Sequence, residues 1–179
     1  MHDRKDAFCA AAEIVLAVEA RALATGSVDT CGTVGKCHVY PGAVNSIPSK
    51  IEMEADIRDT DEQRRNQVLR EIEHACARIA AKRKVQVKVT PINADAPATC
   101  SQWIIDAAVQ AAAENGLAYK KMVSRAYHDS LFMARVSPTT MIFIPCRNGW
   151  SHRPEEFSKP EHVASGVEVL AHTMAKLSA

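Results

Sequence analysis

His152 stands in Thr140–Glu156, TMIFIPCRNGWSHRPEE, where the apolar run Met141, Ile142, Phe143, Ile144 stops at Pro145 and a turn-rich polar segment begins. A run of this kind, bounded by Pro and Gly, predicts a short strand buried on both faces. In open α/β sheets, ligands bind in the crevice beyond the carboxyl ends of the strands. An imidazole fixed at such a strand end has the chemistry of a metal ligand. The plainer reading is a loop histidine with no task, and spacing alone does not separate the two.

The elements that must position this cluster follow from periodicity. Asp3 to about Ala24 predicts a helix, with Phe8, Ala11, Ala12, Val15, Val18 and Ala22 at helical spacing and Gly26 ending it. Thr30–Tyr40 predicts a strand and Pro41-Gly42 a turn. Ser49–Arg58 alternates strictly. Ile51, Met53, Ala55 and Ile57 form one face and Lys50, Glu52, Glu54, Asp56 and Arg58 the other, which marks a half-buried antiparallel strand. Thr60 with Gln63 reads as a capping box opening a second helix. Its buried stripe is Val68, Leu69, Ile72, Ala75, Cys76, Ile79 and Ala80, with Arg64, Arg65, Arg70, Glu71 and Glu73 outside it. Val85, Val87 and Val89 then alternate as a third strand. Helix, strand, strand, helix, strand is a split βαβ pattern short of its first strand, and that strand is expected before Met1.

Pro91–Thr99 is rich in turn residues and marks the expected boundary between a domain over residues 1–90 and a second over 91–179. Ser101–Asn115 predicts a helix with Trp103, Ile104, Ala107, Ala108, Ala111 and Ala112 inside and Gly116 as its cap. Tyr119–Val123 predicts a short strand and Leu131–Val136 a short helix, followed by the strand of Met141–Ile144. The last helix runs over about Pro160–Leu177, with Val163, Val167, Val169, Leu170, Met174 and Leu177 apolar. Alternating helix and strand predicts a parallel sheet. The expected fold is therefore α/β: an incomplete α+β split-βαβ domain, then the C-terminal remnant of a doubly wound α/β domain. Two strands under three helices do not complete such a sheet, a second sign that the chain is a fragment.

Composition narrows the partners. The chain is 47% apolar and 24% charged, with 22 basic against 21 acidic residues and a net charge of +1. That balance gives no electrostatic reason to expect nucleic acid or an anionic membrane, and no apolar stretch is long enough to span a bilayer. The opening MHDRKDAFCAAAEIV is expected to be a helix and not a targeting peptide, because Glu13, Glu19 and Arg21 fall in or just after its apolar part at helical spacing. Cys9, Cys31, Cys37, Cys76, Cys100 and Cys146 form no CxxC pair and read as reduced, scattered thiols, with Cys31–Cys37 as a hairpin pairing the alternative.

The segment Arg125-Ala126-Tyr127-His128-Asp129-Ser130, together with Met141–Glu156, resembles the dinuclear-metal amidohydrolases of the aminoacylase and carboxypeptidase superfamily. The similarity is to the branch that holds ureidoglycolate, allantoate and N-carbamoyl-amino-acid amidohydrolases. Gly32-Thr33-Val34, the stretch Pro41–Pro48 (PGAVNSIP) and Asp56-Ile57-Arg58 resemble the dimerisation (lid) domain of the same enzymes, and Arg4-Lys5-Asp6-Ala7 the helix after their lid histidine motif.

The resemblance implies two divalent ions, manganese in the ureide branch with zinc the alternative, that polarise a ureido carbonyl and activate a bridging water. It also implies that most metal ligands and the general-base glutamate belong to a portion preceding Met1. His152, in Gly149-Trp150-Ser151-His152, matches the terminal metal ligand. Asn45 and Arg58 match residues that reach from one subunit into the other's active site, Arg58 for the substrate carboxylate. Tyr127 and His128 match residues lining the substrate pocket, and the YHDS form points toward ureidoglycolate.

Plainer readings stand beside each assignment. Asn45 is ordinary turn chemistry, Arg58 a balance for Glu52, Glu54 and Asp56, Tyr127 packing, and His128-Asp129 a helix N-cap. Glu155 and Glu156 are expected as structural partners of the His152 loop. The implied function is hydrolysis of a small ureide by a homodimer formed through residues 1–90, inactive as this chain alone. The alternatives are a non-catalytic dimerising module, or an allantoate or N-carbamoyl-amino-acid hydrolase. Localisation is left open between the cytoplasm and, for a plant-type full-length enzyme, the endoplasmic reticulum.

Overall fold

The computed structural model describes residues 1–178. The chain divides into two compact units, Met1–Pro97 and Ala98–Ala179.

In the first unit, Asp6 caps helix α1 (Ala7–Ala24), its Oδ1 accepting from the N–H groups of Phe8 at 2.9 Å and Cys9 at 3.2 Å. Strands β1 (Cys31–Tyr40) and β2 (Lys50–Arg58) form an antiparallel hairpin, and helix α2 (Glu62–Arg83) follows. The N-cap of α2 is Asp61, whose Oδ1 accepts from Arg64 N at 3.0 Å, so the capping box expected at Thr60 starts one residue too early. A carboxylate at Asp61 is at least as strong a cap as the threonine hydroxyl before it.

The alternation of β2 holds at Ile51, Met53 and Ile57, whereas Ala55, expected on the buried face, is exposed. Gly32, Val34, Cys37 and Val39 stand opposite Ile57, Ala55, Met53 and Ile51. Val34, Met53 and Ile57 pack against a core of Ala10, Ile14 and Val18 from α1 with Val68, Ile72, Ala75, Cys76 and Ile79 from α2. Gly32 lets α1 sit close to the strand: a Cβ there would lie 3.1 Å from Ala22 Cβ and 3.2 Å from Val18 Cγ1. The ladder shifts between Val34 and Lys36, leaving Gly35 as a surplus residue, a bulge that the sequence reading did not anticipate.

Several expectations are corrected. On α1 the buried stripe is Ala10, Ala11, Ile14, Val18 and Ala22, while Phe8, Ala12 and Val15 lie outward. Arg65 of α2, assigned to the wet face, is buried. Its guanidinium donates to the carbonyl of Asp95, to Ala94 O at 3.5 Å and to Asn66 Oδ1 at 3.0 Å, fastening the segment that leaves the unit. Val85–Val89 forms no ladder. Lys84 takes a left-handed conformation after α2, and Val85 packs against the core, but among the described residues no neighbouring strand hydrogen-bonds it. A strand pattern becomes a strand only where a partner supplies its ladder.

The second unit contains α3 (Gln102–Glu114), a single turn α4 (Ser130–Met133) and α5 (Pro160–Leu177). Helices α3 and α5 pack through Ala111, Ala112 and Val169, with Leu117 and Ile142 against them. Lys176 pairs with Glu114 at 2.8 Å, and Asn115 Nδ2 lies 2.7 Å from His172 Nδ1. Tyr119–Val123 and Met141–Ile144, expected as strands, carry no ladder among the described residues. Nor is the second run buried on both faces, since Phe143 and Ile144 are exposed. Trp103, expected inside α3, is exposed as well. On α5 the residues facing inward are Val169 and Thr173. Val163, Val167, Leu170, Met174 and Leu177, spaced four, three, four and three apart, form a separate exposed stripe.

Candidate functional site

Asn45 lies in the exposed loop between β1 and β2, among Gly42 (φ +76°), Val44 and Ile47. Ser49 N donates to Tyr40 O at 2.9 Å and closes the loop at its base, and Ala7 N donates to Pro48 O at 3.1 Å, tying it to the start of α1. Arg58 is the last residue of β2, opposite Cys31, at the end of the ladder away from that loop. Its Nε stands 2.9 Å from both carboxylate oxygens of Asp56, and a second nitrogen also pairs with that carboxylate. The hydrogen bond to Asp56 raises the guanidinium pKa further above its already high value, so Arg58 stays a cation. Arg58 remains about 44% exposed along its side chain.

The strand end that carries Arg58 is fixed by its neighbour Asp59, which the sequence reading passed over. Thr30 Oγ1 donates to Asp59 Oδ2 at 2.5 Å, Arg64 Nε at 2.7 Å, and Asp61 N to Oδ1 at 2.9 Å, while a second Arg64 nitrogen completes the pair. Burial by itself would raise this carboxyl, but the Arg64 guanidinium, the Asp61 N–H and the Thr30 hydroxyl outweigh it and hold the pKa at about 2. Thr30 also accepts from Thr25 at 2.9 Å, so one carboxylate joins the end of α1, the approach to β1, the end of β2 and the start of α2. The sequence signal was the run Asp59-Thr60-Asp61 with Arg64 in the first helical turn.

In the second unit, His128 precedes α4 and its carbonyl accepts from Leu131 N at 3.0 Å. Its ring packs on Phe143 with centroids 5.8 Å apart, and its Nε2 is buried with no hydrogen-bond partner among the described residues. A buried polar atom left without a partner asks for an explanation. Tyr127 is half-exposed and meets Phe132 edge-on at 5.9 Å. Phe143 comes from the apolar run that leads to the histidine loop, so His128 and that run share one surface.

His152 is exposed and left-handed, with φ +57°, in a loop where Asn148 and Gly149 are also left-handed. Its N–H donates to Glu156 Oε2 at 2.9 Å, Glu156 N donates to Arg153 O at 3.0 Å, and Arg153 pairs with Glu155 at 3.3 Å. Arg147 N donates to Phe157 O at 2.8 Å across the loop, with its guanidinium 4.8 Å above the Phe157 ring. Glu155 and Glu156 thus brace the loop and leave the imidazole exposed. Among the described residues no three His, Cys, Asp or Glu side chains gather as a metal site. Asn45 and Arg58 belong to the first unit, Tyr127, His128 and His152 to the second.

A sequence model of the family described as Peptidase family M20/M25/M40 matches residues 8–176. The sequence is 54% identical over 176 residues to a ureidoglycolate hydrolase of Arabidopsis thaliana, a match covering 98% of this chain and 37% of that protein. It is 38% identical over 175 residues to an N-carbamoyl-L-amino acid amidohydrolase of Geobacillus stearothermophilus, covering 98% of this chain and 42% of that one. A crystal structure of AtUAH in complex with glyoxylate matches with a TM-score of 0.93 at 54% identity, over 99% of this chain and 42% of that chain. This chain therefore spans 37% to 42% of the length of these relatives.

Proposed function

Because the chain belongs to the peptidase family M20/M25/M40, we propose that it is the substrate-gripping portion of a metal-dependent hydrolase that cleaves the ureido C–N bond of ureidoglycolate and releases ammonia. The observation that carries this reading is 54% identity, across 98% of the chain, to a protein named ureidoglycolate hydrolase. In it Arg58 offers its planar fork to the substrate carboxylate. Asn45 hydrogen-bonds the substrate, and Tyr127 and His128 line its pocket. The partnerless Nε2 of His128 supports that role: such an atom costs about 1–3 kcal/mol until something bonds it, and a bound substrate is polar enough to do so.

Bound manganese or zinc ions supply carbonyl polarisation and an activated water in this chemistry. Sites of this kind take three or four protein ligands, and His152 is the one donor assigned to them here. On this reading the remaining ligands come from outside these residues, and grip and assembly are the tasks proposed for them. The assembly is a homodimer through the first unit. Leu16, Leu23 and Val28 stand exposed there, and a shallow cavity of about 470 Å³ lined by Leu23, Val28, Cys31 and Thr33 lies where the end of α1 meets the start of β1. That surface also fits the second reading, a dimerising module without catalysis.

Ammonia release separates the readings. The 179-residue chain alone, with or without manganese, is expected to release none from ureidoglycolate. Mixed with a separately produced protein corresponding to the unmatched portion of the Arabidopsis thaliana relative, it is expected to gain activity that Arg58→Lys weakens. Failure of every such mixture to turn over any ureide would leave only the dimerising module. Sedimentation at roughly tens of micromolar tests assembly, since a strict monomer there removes the dimer from both readings.

A further inference from the structure

The ladder of the hairpin ends at Cys31 opposite Arg58, the end away from the turn. Strand ends open more readily than strand centres. Here the same register runs on through side chains. Thr30 stands one residue before Cys31 and Asp59 one after Arg58, and the Thr30 hydroxyl donates to Asp59 Oδ2 at 2.5 Å. One step further out, Thr60 Oγ1 donates to Asp29 Oδ2 at 3.2 Å. The inner bond is anchored on both helices. Asp59 accepts from Arg64 Nε at 2.7 Å at the start of α2, and Thr30 lies 2.9 Å from Thr25 Oγ1 at the end of α1. A carboxylate only accepts, so Thr30 commits its one hydroxyl proton to Asp59. The Asp59 side chain is fully buried, whereas that of Arg58 beside it faces outward. Neighbouring residues of a strand turn to opposite faces, so a residue clamped under the helices holds the one that faces solvent.

We propose that Thr30 is a positioning residue for the substrate carboxylate: its bond to Asp59 closes the hairpin one step beyond the last backbone pair and fixes the main chain from which Arg58 reaches. This rests on the reading of Arg58 as the carboxylate grip. A planar fork meets a carboxylate with two parallel bonds only when its base is held to within about 0.5 Å. The pairing of Arg58 with Asp56 orients the guanidinium but does not fix that base, because both residues belong to the same strand end. Thr30 supplies the fixed point from the other strand. It acts through Asp59 and not by contact with the ligand. The Thr60–Asp29 bond, longer and carried by an exposed threonine, supplements it.

The test compares the nitrogen-labelled full chain with its Thr30→Val and Thr30→Ser variants, by amide exchange and by titration with glycolate. Valine keeps the shape and removes the donor, whereas serine keeps the donor. In Thr30→Val the amides of residues 31–33 and 56–58 are expected to exchange at least about tenfold faster, while those of α2 keep their protection. Glycolate, read at the Arg58 Nε–H, is expected to bind severalfold more weakly. Thr30→Ser is expected to restore most of both. A tie that is merely structural would change exchange and leave glycolate affinity as it was, and that result overturns the proposal. So does a Thr30→Ser variant that behaves as Thr30→Val does. Loss of protection along the whole of α2 in Thr30→Val also overturns it, because the bond would then support the unit and not its end. Glycolate that leaves wild-type Arg58 unmoved overturns the reading of Arg58 as well, whereas an undiminished response in Thr30→Val overturns the positioning role alone.

Discussion

Asp59→Asn tests whether one buried carboxylate ties the four ends of the first unit together. The carboxyl is held at about 2 against an ordinary 3.8. That difference is worth about 2.4 kcal/mol of folding stability at neutral pH. The folded value lies below the unfolded one, so the stabilisation is complete above about pH 4 and is lost as pH falls through about 2. The asparagine amide cannot carry this charge-linked term and turns an N–H toward Arg64 or Thr30. The variant should therefore unfold about 2 kcal/mol more easily at pH 7, with the gap from wild type closing below about pH 2. Trp103 and Trp150 both belong to the second unit, so their fluorescence is the control. The first unit is followed through amide exchange along α2. If Asp59→Asn traces the same pH curve as wild type in α2, the charge-assisted bonds to Asp59 do not hold the unit together.

Three further outcomes follow from named contacts. Gly166→Ala puts a Cβ 2.5 Å from Ile144 Cγ2 and should destabilise the second unit by about 1–3 kcal/mol in a urea titration read by tryptophan fluorescence. Adding Ile144→Ala should recover part of that loss. Arg65→Met removes the guanidinium bonds to the Ala94 and Asp95 carbonyls, so amides of residues 93–97 should exchange about tenfold faster while α2 keeps its helical signal. Asp56→Asn withdraws a competitor from the Arg58 fork and should tighten glycolate binding severalfold in an NMR titration of the Arg58 Nε–H, whereas equal affinity would show that Asp56 does not compete.

Much of the first unit was legible because its signals are local. The alternation of Ser49–Arg58 and the stripe of Val68, Ile72, Ala75, Cys76 and Ile79 each name their inward face directly. The misses have physical causes. On α1 nearly every position is apolar, so periodicity could not separate Val15 from Ile14. Arg65 is buried because the carbonyls of a distant segment converge on it, information absent from its own helix. Val85–Val89, Tyr119–Val123 and Met141–Ile144 carry strand composition, but ladders belong to pairs of segments and not to one. Among candidate site residues, types and loop placement were legible for Asn45, Arg58 and His152. The bracing of His152 by Glu156 could only be expected, and the left-handed turn that makes it possible was not readable.

Gly35 bears on how the hairpin points. Val34 stands opposite Ala55 on one side of it, and Cys37 and Val39 stand opposite Met53 and Ile51 on the other, so the positions that share a face with the apolar residues of β2 change from even to odd as the chain crosses this residue. A Cβ built there meets nothing within 4 Å, which makes the position sterically free and its role one of counting. Excising it would restore unbroken alternation and keep every buried side chain buried. The kink and extra twist of the bulge would go with it. The loop bearing Asn45 would then swing to a new heading with the core unchanged, so a one-residue deletion can redirect the tip of this arm at almost no expense to its root.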